Sequence, residues 1–99
     1  MKPFAPAKTT KNIDVSGSSQ SVLVANALDN VRVMNDGTAT AWIAFGDSTV
    51  TAALASGIPI GPGVTEVLSP ITDKGSPVYA AAIAAGATGK IYFTPGIGI

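Results

Sequence analysis

Few side chains in this sequence can do chemistry. Gly46-Asp47-Ser48 resembles the start of an esterase nucleophile motif, but a serine nucleophile needs a base, and the chain has no histidine. It has no cysteine either, which removes thiolate nucleophiles, disulfides and thiolate metal sites. Gly46-Asp47-Ser48 therefore reads as a turn closed by a side-chain hydrogen bond. Among the carboxylates, Asp29, Asp36, Asp47 and Asp73 lack the spacing of a calcium loop. Glycoside hydrolysis takes a pair of carboxylates. Glu66 is the only glutamate and reads instead as a charge that guards a sheet edge. Gly61-Pro62-Gly63 lacks the strand–turn–helix setting of a phosphate loop. With a net charge of +0 there is no electrostatic footprint for nucleic acid. The expectation is a protein without catalytic residues, metal or cofactor. What remains is binding, through Trp42, Tyr79, Tyr92 and an N-terminal segment with Pro3, Phe4 and Pro6.

These residues must be held by strands. The stretch Asn35–Gly46 opens with a turn signal, carries the only tryptophan and closes on a second turn signal. Alternation over 39–45 sends Ala39, Ala41, Ile43 and Phe45 to one face and Thr40, Trp42 and Ala44 to the other. Ile43 and Phe45 claim the core, so the indole points away from it and needs another cover. Asp36-Gly37 between apolar runs predicts a type I′ hairpin joining 31–34 to 39–45.

The remaining strands are short. Residues 1–8, with two prolines, read as an extended arm, and 9–99 as the domain. Strands are expected at 9–15, with Lys11, Ile13 and Val15 on one side, and at 20–25, with Val22-Leu23-Val24 buried. Residues 26–30 read as a loop and 48–51 as β-like, while Ala52–Ala55 suits a single helical turn. Ile58-Pro59-Ile60 suits a sheet edge, because proline cannot donate to a ladder. A strand over 65–68 and a turn at Asp73-Lys74-Gly75 follow. Residues 78–84 are alanine-rich and have helix propensity, but the run is too short for a stable helix between Pro77 and Gly86. They read as one arm of a hairpin with 90–94, where Ile91 and Phe93 point inward and Lys90, Tyr92 and Thr94 outward. Pro95–Ile99 reads as a tail. Short strands with turn signals every ten residues or so predict an all-β fold, a small antiparallel β-sandwich or jelly roll.

Ninety-nine residues make one domain with a thin core. Charged residues are 12% of the chain, against roughly 25% in average globular proteins. Two explanations stand: a surface of Ser, Thr, Gly and Asn, or a surface covered by neighbours. A small domain without disulfide or metal often gains stability by assembly. The N-terminus lacks the apolar core of a signal peptide, and no run of about 18 apolar residues spans a membrane.

From Val31 onward the chain resembles small virion proteins of tailed bacteriophages. The resembling residues are Asn35-x-Gly37-Thr38-x-x-Ala41-Trp42-Ile43-x-Phe45-Gly46, then Ile58-Pro59-Ile60-x-Pro62-Gly63-x-x-Glu66-Val67-Leu68. Ala82-Ile83, Gly89-x-Ile91-Tyr92-x-Thr94-Pro95-Gly96 and Gly98 complete the set. The resemblance implies a head decoration (cement) protein, a homotrimer that binds the major capsid protein or another virion protein on the capsid surface. It would be made in the host bacterial cytoplasm, with no nucleic acid or membrane as partner. A tail or head–tail accessory protein is the related alternative. A carbohydrate-binding β-sandwich for host attachment is the alternative of another class. The assembly interface expected on this reading comprises Pro3, Phe4, Pro6, Trp42, Tyr79 and Tyr92.

Overall fold

The computed structural model describes residues 5–6, 10–26, 30–69, 77–84 and 89–97. Nine strands run in order: β1 (Ala5–Pro6), β2 (Lys11–Asp14), β3 (Gln20–Asn26), β4 (Asn30–Asn35), β5 (Ala41–Gly46), β6 (Ile58–Ile60), β7 (Thr65–Leu68), β8 (Pro77–Ile83) and β9 (Lys90–Ile97). The described residues contain no helix.

The strands form two antiparallel sheets. In the first, β7, β4 and β9 lie side by side, and β1 and β2 share the free edge of β9. The second has the order β3-β8-β5-β6. The pairings nest: β5 with β6, β4 with β7, β3 with β8 and β2 with β9. From β2 onward only β5 and β6 are both consecutive and paired; every other connection passes from one sheet to the other.

One core serves both sheets, which gives a sandwich-like body. Ile13, Val31, Val33, Ile91 and Phe93 come from the first sheet, and Val24, Ala41, Ile43, Ile60, Ala80, Ala82 and Ala84 from the second sheet and its continuation. The rings of Phe45 and Phe93 meet edge to face across the gap, with centroids 6.4 Å apart. The alanines of β8 are fully buried, and the bulk beside them comes from Ile43 opposite Ala82 and Phe45 opposite Ala80. Small residues beside large ones fill the layer, and burial between two strands overrides the helix propensity of the run.

Both expected hairpins are absent. β4 and β5 lie in different sheets, as do β8 and β9. A type I′ turn needs positive φ at both central residues, and neither Asp36 nor Gly37 has it. The chain turns instead on the side chain of Asn35, which is buried although it reads as a surface turn former. Its Oδ1 accepts from the Gly37 N–H at 2.8 Å, and its Nδ2 donates to the carbonyls of Ala39 (2.9 Å) and Ile60 (2.8 Å). Its backbone adds bonds from Gly63 N–H to Asn35 O and from Asn35 N–H to Val64 O. One residue thus ties the end of β4 to the start of β5 and to the β6–β7 crossing.

Other expectations also change. Leu23 is exposed, because it lies on the outer face opposite Tyr79 while Val22 and Val24 turn inward. Asn26 and Asn30 belong to strands, and residues 27–29 between them lie outside the described set. Residues 48–51 are not a strand, and Ala52–Ala55 is not helical. A hydrogen bond from Ser56 N–H to Ala53 O closes a turn there, and Ala55 at φ 61° is left-handed. Residues 95–97 are no tail but the end of β9. Pro95 falls between the β2 ladder, which begins with Lys11 opposite Phe93, and the β1 ladder, which ends with Pro6 opposite Gly96, and no described residue is paired with it on that side. The edge positions of Ile58-Pro59-Ile60 and of Glu66 agree with expectation. The turn expected at 73–75 lies outside the described residues.

Candidate functional site

The outer faces of the sheets hold Trp42, Tyr79 and Tyr92. On β5, alternation turns Ala41 and Ile43 into the core and Trp42 outward. Trp42 is half-buried and packs in a second, smaller apolar cluster with Ala81 and Ile83 of β8 and with Val50 and Ala52. The last two belong to the long β5–β6 connection, which folds back over the sheet. Three features fix this connection. Asp47 Oδ1 accepts from the backbone and hydroxyl of Thr49. Ala52 N–H donates to Ser19 Oγ at 2.8 Å. Gly57 has φ +91° and a backbone so close to the carbonyl of Ile43 that a Cβ would lie 2.6 Å from its oxygen. The cover that the indole requires thus comes in part from its own chain.

Tyr79 is half-buried on the same outer face, between Leu23 and Gly46 in register. Leu23 and, on the covering connection, Leu54 are the large apolar residues exposed on this side. The face is therefore apolar around a partly covered centre.

Tyr92 is on the opposite side of the molecule. Its neighbours Ile91 and Phe93 are fully buried, so it faces outward from the first sheet. Asn12 and Met34 flank it in register. A shallow depression of about 300 Å³ is lined by Thr10, Arg32, Met34, Tyr92 and Thr94. The hydroxyls of Thr10 and Thr94 are hydrogen-bonded to each other at 2.8 Å. A ring to stack on, a thioether, a guanidinium and two hydroxyls on one platform can hold a ring-shaped polar ligand. Alternation identifies Tyr92 as outward, but Arg32, Met34 and Thr10 join it only through the β2–β9–β4 pairing, which spacing does not signal.

The expected interface residues thus fall into three places. Trp42 and Tyr79 share one face, and Tyr92 is on the other. Pro6 pairs through its backbone with Gly96, while Pro3 and Phe4 lie outside the described residues. No single flat surface contains both Trp42 and Tyr92.

The titrating groups near these faces are surface groups. Asp47 is held below the ordinary carboxylate range, chiefly by the hydrogen bond from the Thr49 hydroxyl. The Lys90 ammonium is held above its ordinary value by its hydrogen bond to Asp14 and the attraction of that carboxylate. Ser48 is exposed on the turn after β5. Among the described residues no group of three or more His, Cys, Asp or Glu is placed to hold a metal. A scan of family models and searches of characterised proteins and solved structures return no match to this chain.

Proposed function

We propose that this chain is a structural protein of a bacteriophage virion, a jelly-roll decoration module that binds the outside of the head and stabilises it. The nested pairing of its strands carries the reading. Counted from β2, the first strand pairs with the eighth, the second with the seventh, the third with the sixth and the fourth with the fifth. Such nesting supports the reading of an antiparallel ribbon folded at β5–β6 and rolled into two sheets, as in a jelly roll, an architecture used by viral capsid and lectin domains. Fold alone does not set function. Low charge, the apolar face around Trp42, Tyr79, Leu23 and Leu54, and the resemblance to phage virion proteins favour the capsid side. The partners on this reading are further copies of the chain, as a homotrimer, and the major capsid protein.

The test is to locate the protein. Particles purified from the source of the chain are analysed by quantitative mass spectrometry and low-resolution electron microscopy. A copy number that scales with capsomers, with density on the outside of the head, is expected. Absence from purified particles overturns the reading, and a copy number matching a tail ring moves the protein to the tail or head–tail junction.

A second reading rests on the depression around Tyr92. A carbohydrate-binding module for host attachment places an aromatic ring beside polar groups, as Tyr92, Arg32, Thr10 and Thr94 are placed. A glycan array separates the two: saturable binding lost in Tyr92→Ala favours attachment, and no binding favours decoration.

A further inference from the structure

A two-sheet body leaves free strand edges, and natural proteins guard such edges with charge, proline or brevity. Here β2 is four residues long and carries Lys11 and Asp14. β6 has three residues with Pro59 in the middle. β7 has four residues and carries Glu66. β1 has two residues, one of them Pro6. The last described edge, β3, differs from all of them: it runs seven residues with no charge and no proline, and its only defence is an irregularity between Leu23 and Ala25. Ahead of that irregularity, Gln20, Ser21 and Leu23 are exposed, and no described strand pairs with the outer side of β3.

The space beside this edge is not blank. β2 and β3 leave their sheets open on the same side, and a groove of about 430 Å³ runs between them, lined by residues 12–16 and 20–22. Ile13 and Val15 are almost fully buried at its floor, and Val22 is half-buried against the core. The groove is thus a place where the sandwich stays unclosed and the core reaches the surface.

We infer that β3 is a docking edge for β3 of a second copy of this chain, paired antiparallel about a two-fold axis at Val22. The occupant has to be an extended, uncharged segment with a free edge of its own. Of the described edge strands, β3 alone is both uncharged and free of proline over more than three residues, and a two-fold contact presents the same patch from both partners. In this register Val22 meets Val22 and Gln20 meets Val24 on the inner face, while Ser21 meets Leu23 on the outer face. The pairing satisfies edge backbone groups, joins the two four-stranded sheets and covers the opening over Ile13 and Val15 with the partner's Val22. The pairing does not depend on the virion reading, because it rests on the backbone edge of β3 and shares only Leu23 with the Trp42 face.

Sedimentation velocity from micromolar to millimolar chain tests the inference with two paired substitutions. Ser21→Lys with Leu23→Lys places like charges opposite each other at both outer-face positions, which destabilises a ladder. Ser21→Glu with Leu23→Lys places opposite charges there in this antiparallel register. All substituted side chains are exposed, so far-UV circular dichroism and melting serve as controls for the fold. The expected result is concentration-dependent association of the parent, weakened at least tenfold by the Lys/Lys pair and restored to within a few-fold by the Glu/Lys pair. A parent that stays monomeric throughout overturns the inference, as does association indifferent to the Lys/Lys pair or a Glu/Lys pair that restores nothing. A trimer unaffected by either pair overturns the inference and leaves the decoration reading standing. If the Lys/Lys variant melts early, hydrogen exchange of the parent decides, and protection of the 20–24 amides that does not rise with concentration overturns the proposal.

Discussion

Asn35→Ala tests the residue on which the chain turns between sheets. The substitution deletes three hydrogen bonds of unequal worth. The bond from Nδ2 to Ile60 O is buried, so its loss strands a carbonyl away from water, at about 1–3 kcal/mol. The bonds to Ala39 O and from Gly37 N–H are only partly buried, and water takes over part of their role, at about 0.5–1 kcal/mol each. The sum is about 3 kcal/mol, a large part of the roughly 5–15 kcal/mol that holds a small domain together. At about 4–8 °C per kcal/mol for a domain of this size, Tm falls by about 12–24 °C. Urea denaturation followed by tryptophan fluorescence and a thermal melt measure both numbers. Asn35→Asp sharpens the test because it keeps the shape. One carboxylate oxygen still accepts from Gly37 N–H, but the other faces two carbonyls. That raises the folded-state pKa above the unfolded one. The penalty is therefore absent below the unfolded pKa and grows as pH rises toward the folded value, so Asn35→Asp recovers stability in acid relative to the parent. An Asn35→Ala variant within about 1 kcal/mol of the parent, or an Asn35→Asp variant with no acid recovery, refutes the role given to this side chain.

Further predictions concern the contacts around it. Gly89 has φ +132° and lies against the backbone of Gly37, with the Asp36 carbonyl 2.9 Å from where a Cβ would be; Gly89→Ala is expected to lower the urea midpoint by more than Gly17→Ala, whose Cβ meets nothing within 4 Å. Ser19→Ala removes the bond that holds Ala52 over the Trp42 cluster, and it should red-shift indole emission, increase quenching by acrylamide and cost about 1 kcal/mol; unchanged emission would show that the connection needs no latch. The lowered pKa of Asp47 lends stability that is fully present above the unfolded carboxylate pKa and is lost as pH falls through the folded one. Thr49→Val should move the Asp47 carboxyl titration upward in an NMR experiment, and no movement would remove the hydroxyl as its main cause.

Much of the fold was legible residue by residue. The strands at 90–94 and around 39–45 follow from alternation, because a period of two is set by the geometry of the extended backbone, and those at 65–68 and around 31–34 from the proline and turn formers beside them. The same rule places Ile43, Ile91 and Phe93 inward and Trp42 and Tyr92 outward without reference to any neighbour. Pro59 and Glu66 announced edges, since a missing N–H and an exposed charge are both at odds with a central strand. Asp47-Ser48 read as a turn for the reason it is one: a short carboxylate reaches the N–H two residues on.

The pairing of strands was not legible. Alternation says which face a side chain takes and nothing about which strand lies beside it, so Asp36-Gly37 and Gly86–Gly89 suggested hairpins where the chain crosses between sheets. The two sheets pair β2 with β9 and β3 with β8, strands far apart in the sequence, and such contacts form only when the whole core closes. That closure buries Asn35, brings Arg32, Met34 and Thr10 beside Tyr92, lays Val50 and Ala52 over Trp42 and leaves β3 at an edge. The sequence by itself determined a neutral, strand-built chain with Phe45 and Phe93 turned inward and Trp42 and Tyr92 turned outward. The tertiary structure alone decided what those residues meet, because neighbours across a sheet are set by the burial of both sheets' apolar faces against each other, which no local pattern records.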